Sequence, residues 1–432
     1  MLLSTYNRLL GSSGWLLKRY LQRRLARGKE DEARLPERMG TPSVARPDGY
    51  LIWIHAASVG ETQSALILIK ALNERLKGKN IHFLVTSVTV TSATLMAQRL
   101  PDNAIHQYIP IDHPVWTRAF FDYWKPDIAF CIESELWPNL LKFLRKRHIP
   151  SALINGRMSE RSYNRWKKVR GTAQEMLGAF DIILTQTELD KDRFLDLGAQ
   201  MAVVTDNLKY SAKPLPYDEK LLTKLEKQFK KRPVWVYAST HAGEEELALA
   251  THNALKDKLD GLFTIIVPRH PERREEIKAN LKAKDNPAIA FRSDEAMPPK
   301  NCSFYVADTL GELGLFYALS DIALIGRTFS NDGGGGHNPM EGALLKCACL
   351  SGPNYQNQTQ LTEDMLASGG IQIVGTKDDL PATLHYLFED DAARDALVEA
   401  GLSFAKAKAG VIDHVLDELE PLFLKTDMAY TS

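Results

Sequence analysis

The sequence predicts an α/β protein built from two doubly wound, parallel-sheet domains of Rossmann type that face a central cleft. Three observations carry that expectation. Short apolar runs alternate with helix-period segments along nearly the whole chain, which is how parallel strands and their crossover helices are written. The alternation pauses once, at 208–217, and then resumes. At 432 residues the chain exceeds one ordinary hydrophobic core and fits two.

The elements follow in order. Residues 49–57 read as a strand and 62–77 as a helix, with Ala65, Leu68, Ile69, Leu72 and Leu76 on one face. Further strands are expected at 81–88, 127–132, 151–154, 181–185 and 202–205. Lys213-Pro214-Leu215-Pro216 marks a hinge. A second series follows at 234–238, 263–267, 288–291, 304–307, 322–325, 348–350 and 371–374. The expected division is a basic amphipathic segment and linker over 1–48, a first domain over 49–207, the hinge at 208–217, a second domain over 218–400, and a helical segment over 401–432 that packs back on the first domain.

Composition narrows the function. Lys and Arg total 54 and Asp and Glu total 54, so no overall field collects nucleic acid, and an anionic ligand must be held by local geometry. Cys131, Cys302, Cys347 and Cys349 lack paired metal-ligand spacing, which points to a reduced compartment and to no metal site. No run reaches the roughly 20 apolar residues of a membrane span, and no small-residue cleavage site follows a signal-like core. In the first thirty residues, Leu2, Leu3, Tyr6, Leu9, Leu10, Trp15, Leu16, Leu17, Tyr20, Leu21 and Leu25 interleave with Arg8, Lys18, Arg19, Arg23, Arg24 and Arg27. That pattern suits a helix lying on an anionic membrane surface; a helix packed on the domain with a solvated basic face has the same composition.

Three corners pair a capping residue with a Glu three positions on: Ser58-Val59-Gly60-Glu61, Thr309-Leu310-Gly311-Glu312 and Asn338-Pro339-Met340-Glu341. A helix start presents unpaired N–H groups and a positive dipole end, so such corners suit phosphate or carboxylate. At the first, Gly60 admits a ligand close to the backbone and Glu61 supplies a carboxylate able to take a proton from a hydroxyl; equally, Glu61 completes a capping box with Ser58. Pro268-Arg269-His270 ends a strand, and Arg269 can fork onto a phosphate or pair with Glu272 or Glu275. His241, in Ser239-Thr240-His241-Ala242-Gly243-Glu244, is a donor to substrate or a helix-entry residue. Gly333 to Gly336 run into the helix start at Asn338-Pro339-Met340-Glu341, where Glu341 suits ribose hydroxyls. Glu133 and Arg157, each just after a strand, can grip a polar acceptor or merely salt-bridge a helix start.

Seven ordered segments resemble the 3-deoxy-D-manno-octulosonic acid (Kdo) transferase family: 55–61, 133–139, 155–162, 207–209, 238–246, 267–270 and 335–341. The resemblance implies a GT-B glycosyltransferase with an acceptor domain first and a CMP-sugar donor domain second. It implies transfer of Kdo from CMP-Kdo to lipid A precursor (lipid IVA) with inversion, without metal or cofactor, in lipopolysaccharide assembly at the cytoplasmic face of the inner membrane. Glu61 matches the family's general base. Pro268 and Arg269, Gly311, Glu312 and Leu313, and Asn338, Pro339, Met340 and Glu341 match its CMP-contacting segments, while Ser58, Gly60, Glu133, Arg157 and His241 are expected on the substrates. A nucleotide-sugar epimerase of the same fold and a non-catalytic two-lobed ligand-binding protein are the competing readings. An epimerase would consume donor without acceptor, and a sensor would bind without consuming.

Overall fold

The computed structural model describes residues 2–211, 214–229, 232–282, 288–295, 297–330 and 332–431, with side chains described from residue 5. The chain forms two compact units, one of Met1–Ser211 with Gly410–Ser432 and the other of Ala212–Ala409. Ala212 and Lys213, within the expected hinge, lie outside the described residues.

In the first unit, β1 (Tyr50–His55), β2 (Ile81–Ser87), β3 (Ala104–Tyr108), β4 (Ile128–Ile132), β5 (Ser151–Gly156), β6 (Ile182–Thr185) and β7 (Ala202–Val204) form one sheet in the order β3-β2-β1-β4-β5-β6-β7. Every pairing is parallel. Alternation along β1 builds two cores. Ile52 and Ile54 pack on Ala65, Leu68, Ile69 and Leu72 of helix Val59–Arg75. Leu51 and Trp53 face Phe120, Phe121 and Trp124 on the other side. Helix Val411–Leu424 adds Val415, Leu416, Leu419 and Phe423 to the first of these faces.

Two expectations are corrected here. Helix Asp391–Ala409 runs unbroken through residue 401 and packs on β-strand Ala348–Ser351 of the second unit, so the chain changes unit at Gly410. The polar stretch 28–48 is no free linker either. Glu37 is fully buried, pairs with Arg34 at 2.8 Å and accepts the Tyr108 N–H at 2.7 Å, while buried Glu30 pairs with Arg24 and Arg38. Arg34 and Glu37 are tied to each other and to the backbone of β3.

In the second unit, β8 (Val234–Thr240), β9 (Phe263–Pro268), β10 (Ile289–Phe291), β11 (Phe304–Val306), β12 (Ile322–Ile325), β13 (Ala348–Ser351) and β14 (Gln372–Ile373) give the order β10-β11-β9-β8-β12-β13-β14, again all parallel. Strand order therefore reverses between β1 and β4 in one unit and between β8 and β12 in the other. A ligand crevice opens beyond the carboxyl ends of strands at such a reversal. The units share a device beneath it: the indole of Trp53 donates to Thr86 Oγ1 at 2.9 Å, and that of Trp235 to Thr264 Oγ1 at 2.8 Å.

At the amino end, helices Leu2–Ser12 and Gly14–Leu25 expose Leu9, Trp15, Leu16 and Tyr20, and bury Leu21. Tyr6 donates to Asp112 at 3.0 Å. Among the described residues no helix is long and apolar enough to cross a membrane.

Candidate functional site

The first-unit residues converge at the ends of β1 and β4. Ser58 caps helix Val59–Arg75 by accepting the Glu61 N–H at 3.3 Å, and its hydroxyl donates to Glu61 Oε1 at 3.0 Å. Glu61 Oε2 accepts the Ala57 N–H at 2.7 Å, and the residue is 7% exposed. The capping role is thus real, yet it does not exhaust the carboxylate. Burial raises its proton affinity, the Ala57 N–H opposes this, and the negative charges of Glu135 and Glu133 raise it further. A carboxylate so placed is suited to hold a proton taken from a substrate hydroxyl.

Glu133 follows β4 in the left-handed region (φ 62°), and its Oε1 lies 3.2 Å from Lys209 Nζ. Lys209 is set by Asn207, whose Oδ1 accepts the Lys209 N–H at 3.1 Å, and by Asn155, whose Oδ1 accepts the Leu208 N–H at 3.0 Å. Gly60 lies close against this lysine: a Cβ there would sit 3.2 Å from Lys209 Nζ. Glu135 accepts the Trp137 indole N–H and lies 3.7 Å from Nε2 of buried His55. Burial works against its ionisation, but these two partners hold its carboxyl below the usual range. Arg157, after β5, is exposed and has no hydrogen-bond or ion-pair partner among the described residues.

In the second unit, Pro268 ends β9 and Arg269 follows it, exposed, its N–H bonded to Thr240 O at 3.0 Å. Neither acid that could have claimed its guanidinium does so: Glu272 pairs with His270 at 3.1 Å and Glu275 with Arg274 at 3.5 Å. The Arg269 charge is felt instead at Glu341, which burial pushes up and Arg269 pulls down, and at His337. His241 Nε2 stands 3.1 Å from His337 Nε2; burial and surrounding cations push His241 down to about 4 and His337 to about 3. Such a cationic pocket favours an anion.

The two other capped corners differ from expectation. Gly311 takes φ 81°, so helix Leu313–Leu319 starts after Glu312, and Thr309 bonds the Glu312 side chain rather than a helix N–H. Arg292 forks onto Glu312 at 3.0 and 2.6 Å. Helix Met340–Leu344 starts after Pro339; Asn338 Oδ1 accepts the Met340 N–H at 3.0 Å, and the Met340 side chain is fully buried. At the first of these corners Leu313 offers a ligand its backbone N–H rather than its side chain, whereas the Met340 N–H is already taken by Asn338.

A family model described as 3-deoxy-D-manno-octulosonic-acid transferase (kdotransferase) matches residues 33–212, the span that carries the Glu61, Glu133 and Lys209 corner. The 3-deoxy-D-manno-octulosonic acid transferase of Rickettsia bellii is 34% identical over 93% of this chain and 94% of its own length. The chain belongs to the Kdo transferase family. It is therefore a glycosyltransferase, and the Kdo transferase of Haemophilus influenzae is similar to it at 33% identity over 90% of this chain and 91% of its own. Among solved structures, MurG of Acinetobacter baumannii matches with a TM-score of 0.51 at 15% identity, covering 86% of this chain and 99% of its own, which bears on the GT-B fold alone.

Sequence reasoning passed over three groups of this Kdo transferase. His55 and Glu135 lie 80 residues apart and meet only because β1 and β4 are neighbours, His55 opposite Cys131. Glu244 is 1% exposed and accepts the N–H groups of His241, Arg327 and Phe329, tying the β8 corner to the β12 corner. The Glu133-Ser134-Glu135 doublet was the available signal for the first pair.

Proposed function

We propose that the enzyme moves Kdo from CMP-Kdo to lipid A precursor (lipid IVA) in lipopolysaccharide biosynthesis, with inversion and with Glu61 as general base. The observation that carries this reading is the buried Glu61 carboxylate, its proton affinity raised beside Glu133 and Glu135 at the strand-order reversal of the first unit. Glu61 takes the proton of an acceptor sugar hydroxyl, whose oxygen bonds to the anomeric carbon of Kdo. The bond from that carbon to the CMP phosphate oxygen breaks, and its electron pair leaves with CMP. Arg269 and the backbone N–H at Leu313 meet the charge that gathers on the departing phosphate, in place of a metal or cofactor. Ser58, Gly60, Glu133 and Arg157 hold the acceptor, and His241 the donor sugar.

The acceptor is a lipid, and the exposed Leu9, Trp15, Leu16 and Tyr20 among Arg8, Lys18, Arg19 and Arg23 support work at an anionic bilayer surface, the cytoplasmic face of the inner membrane. Mass spectrometry of lipid A precursor incubated with the protein and CMP-Kdo tests the reading. Each Kdo transferred adds one mass step, and Glu61→Gln slows the steps by orders of magnitude while CMP still binds. CMP-Kdo consumed with no acceptor present, or full transfer by Glu61→Gln, contradicts it.

A further inference from the structure

We propose that Glu135, locked by His55 and Trp137, is a positioning residue that acts on Glu61 as a fixed neighbouring negative charge and so tunes the base; this rests on Glu61 being the base. The lock begins in the sheet. Thr86 Oγ1 accepts the Trp53 indole N–H at 2.9 Å, and His55 Nδ1 stands 3.0 Å from the same Oγ1 and 3.2 Å from the Thr86 carbonyl oxygen. These contacts fix the imidazole with Nε2 turned toward Glu135 Oε2 at 3.7 Å. Nε2 is fully buried and has no hydrogen-bond partner among the described residues, so the Glu135 carboxylate is the charged group it faces. The Trp137 ring closes the site edge-on to His55, 5.8 Å between centroids, and donates its own N–H to Glu135. The indole hydrogen bond and the imidazole packed beside it leave Glu135 little freedom.

The charges facing Glu61 differ in how far they are offset. From the β4 corner come Glu133 and Glu135, and from the segment after β7 comes Lys209, whose ammonium stands 3.2 Å from Glu133 and so offsets that carboxylate. Cys131, on β4 beneath, has its thiol pushed up by burial and by the same two acids, Glu135 and Glu61. Ala57 N–H and the Ser58 hydroxyl are the remaining polar neighbours. Glu135 faces the His55 imidazole, which with the Trp137 N–H holds its carboxyl below the usual range, so it keeps its negative charge while the proton affinity of Glu61 is raised. A base whose proton affinity is lifted toward the working pH transfers a proton more effectively than an ordinary carboxylate.

The test is the pH dependence of kcat/KM for Kdo transfer, which reports the base of the free enzyme. Glu135→Gln moves the acid limb of the profile by roughly one unit toward acid and lowers the plateau severalfold, because Glu61 becomes a weaker base. Glu135→Asp, which keeps the charge, restores the limb. Glu135→Ser removes the same charge with a smaller side chain and replaces the Gln variant if that does not fold, as judged by circular dichroism and CMP binding. A limb that stays in place or moves toward alkali, while Glu61→Gln is inactive, overturns the role of Glu135 alone, including the case where only KM rises. Full turnover by Glu61→Gln overturns both that role and the assignment of the base.

Discussion

Glu61 and Glu312, one in each unit, share a local pattern: each stands three residues after a hydroxyl side chain that donates to the carboxylate. Their surroundings send them in opposite directions. Glu61 is buried among Glu133 and Glu135, which raises its hold on a proton. Glu312 is forked by Arg292, which above all else holds its carboxyl below the usual range. The cap pattern fixes where a carboxylate sits, and the charge facing it decides whether it can exchange a proton. In the first unit the pattern leaves a carboxylate with a raised hold on a proton; in the second it makes a brace.

Removing the carboxylate on one side and the partner of the carboxylate on the other tests that contrast. Glu61→Gln lowers the transfer rate by roughly 10²- to 10⁴-fold, the range of a lost general base, with CMP affinity unchanged by calorimetry. Arg269→Ala weakens CMP binding by about 10- to 100-fold, the cost of charge-assisted bonds to a phosphate, and leaves the acid limb of the pH profile in place. Trp15→Glu lowers co-sedimentation with anionic vesicles by roughly tenfold, since one buried aromatic and one neutralised cation are lost together. Arg292→Ala, which frees Glu312, costs about 1 kcal/mol in thermal unfolding, the scale of a partly exposed pair.

The smallest effect concerns Asp112, which ties Tyr6 of the amino-terminal helix to the Asn139 and Leu140 N–H groups at the start of helix Pro138–Lys146. Burial pushes Asp112 up from 3.8 to about 6, against the pull of these hydrogen bonds. Between those values the folded chain holds a proton that the unfolded chain has released, so the proton-linked stability is complete below 3.8 and is lost as pH rises through about 6. Melting temperatures measured across that window fall with rising pH in the wild type more than in Asp112→Asn.

The sheets were largely legible because buried parallel strands are continuous apolar runs, and thirteen of the fourteen were expected within a few residues. Ala104–Tyr108 escaped because it is an edge strand carrying His106 and Gln107, with only its last two residues buried. The corners were legible as places and not as geometries. Ser58 caps its helix as the spacing says, but the left-handed turn at Gly311 delays the next helix past Glu312, and Pro339 delays the third past Asn338. The pairing of His55 with Glu135 was legible only as far as the Glu133-Ser134-Glu135 doublet, since its members are distant in sequence and meet only through strand order. The 28–48 stretch misled for a related reason: Glu30, Glu37 and Arg38 look solvated until their partners are known.

The central claim is that Glu61 is the base and that its environment sets its protonation. The most direct measurement is kcat/KM for Kdo transfer against pH for the wild type beside Glu61→Gln. The account predicts a wild-type acid limb above 4.5, the ordinary glutamate value, and a residual rate in the variant that no longer follows that limb. A limb at the ordinary value, or the same limb persisting once the carboxylate is gone, contradicts it.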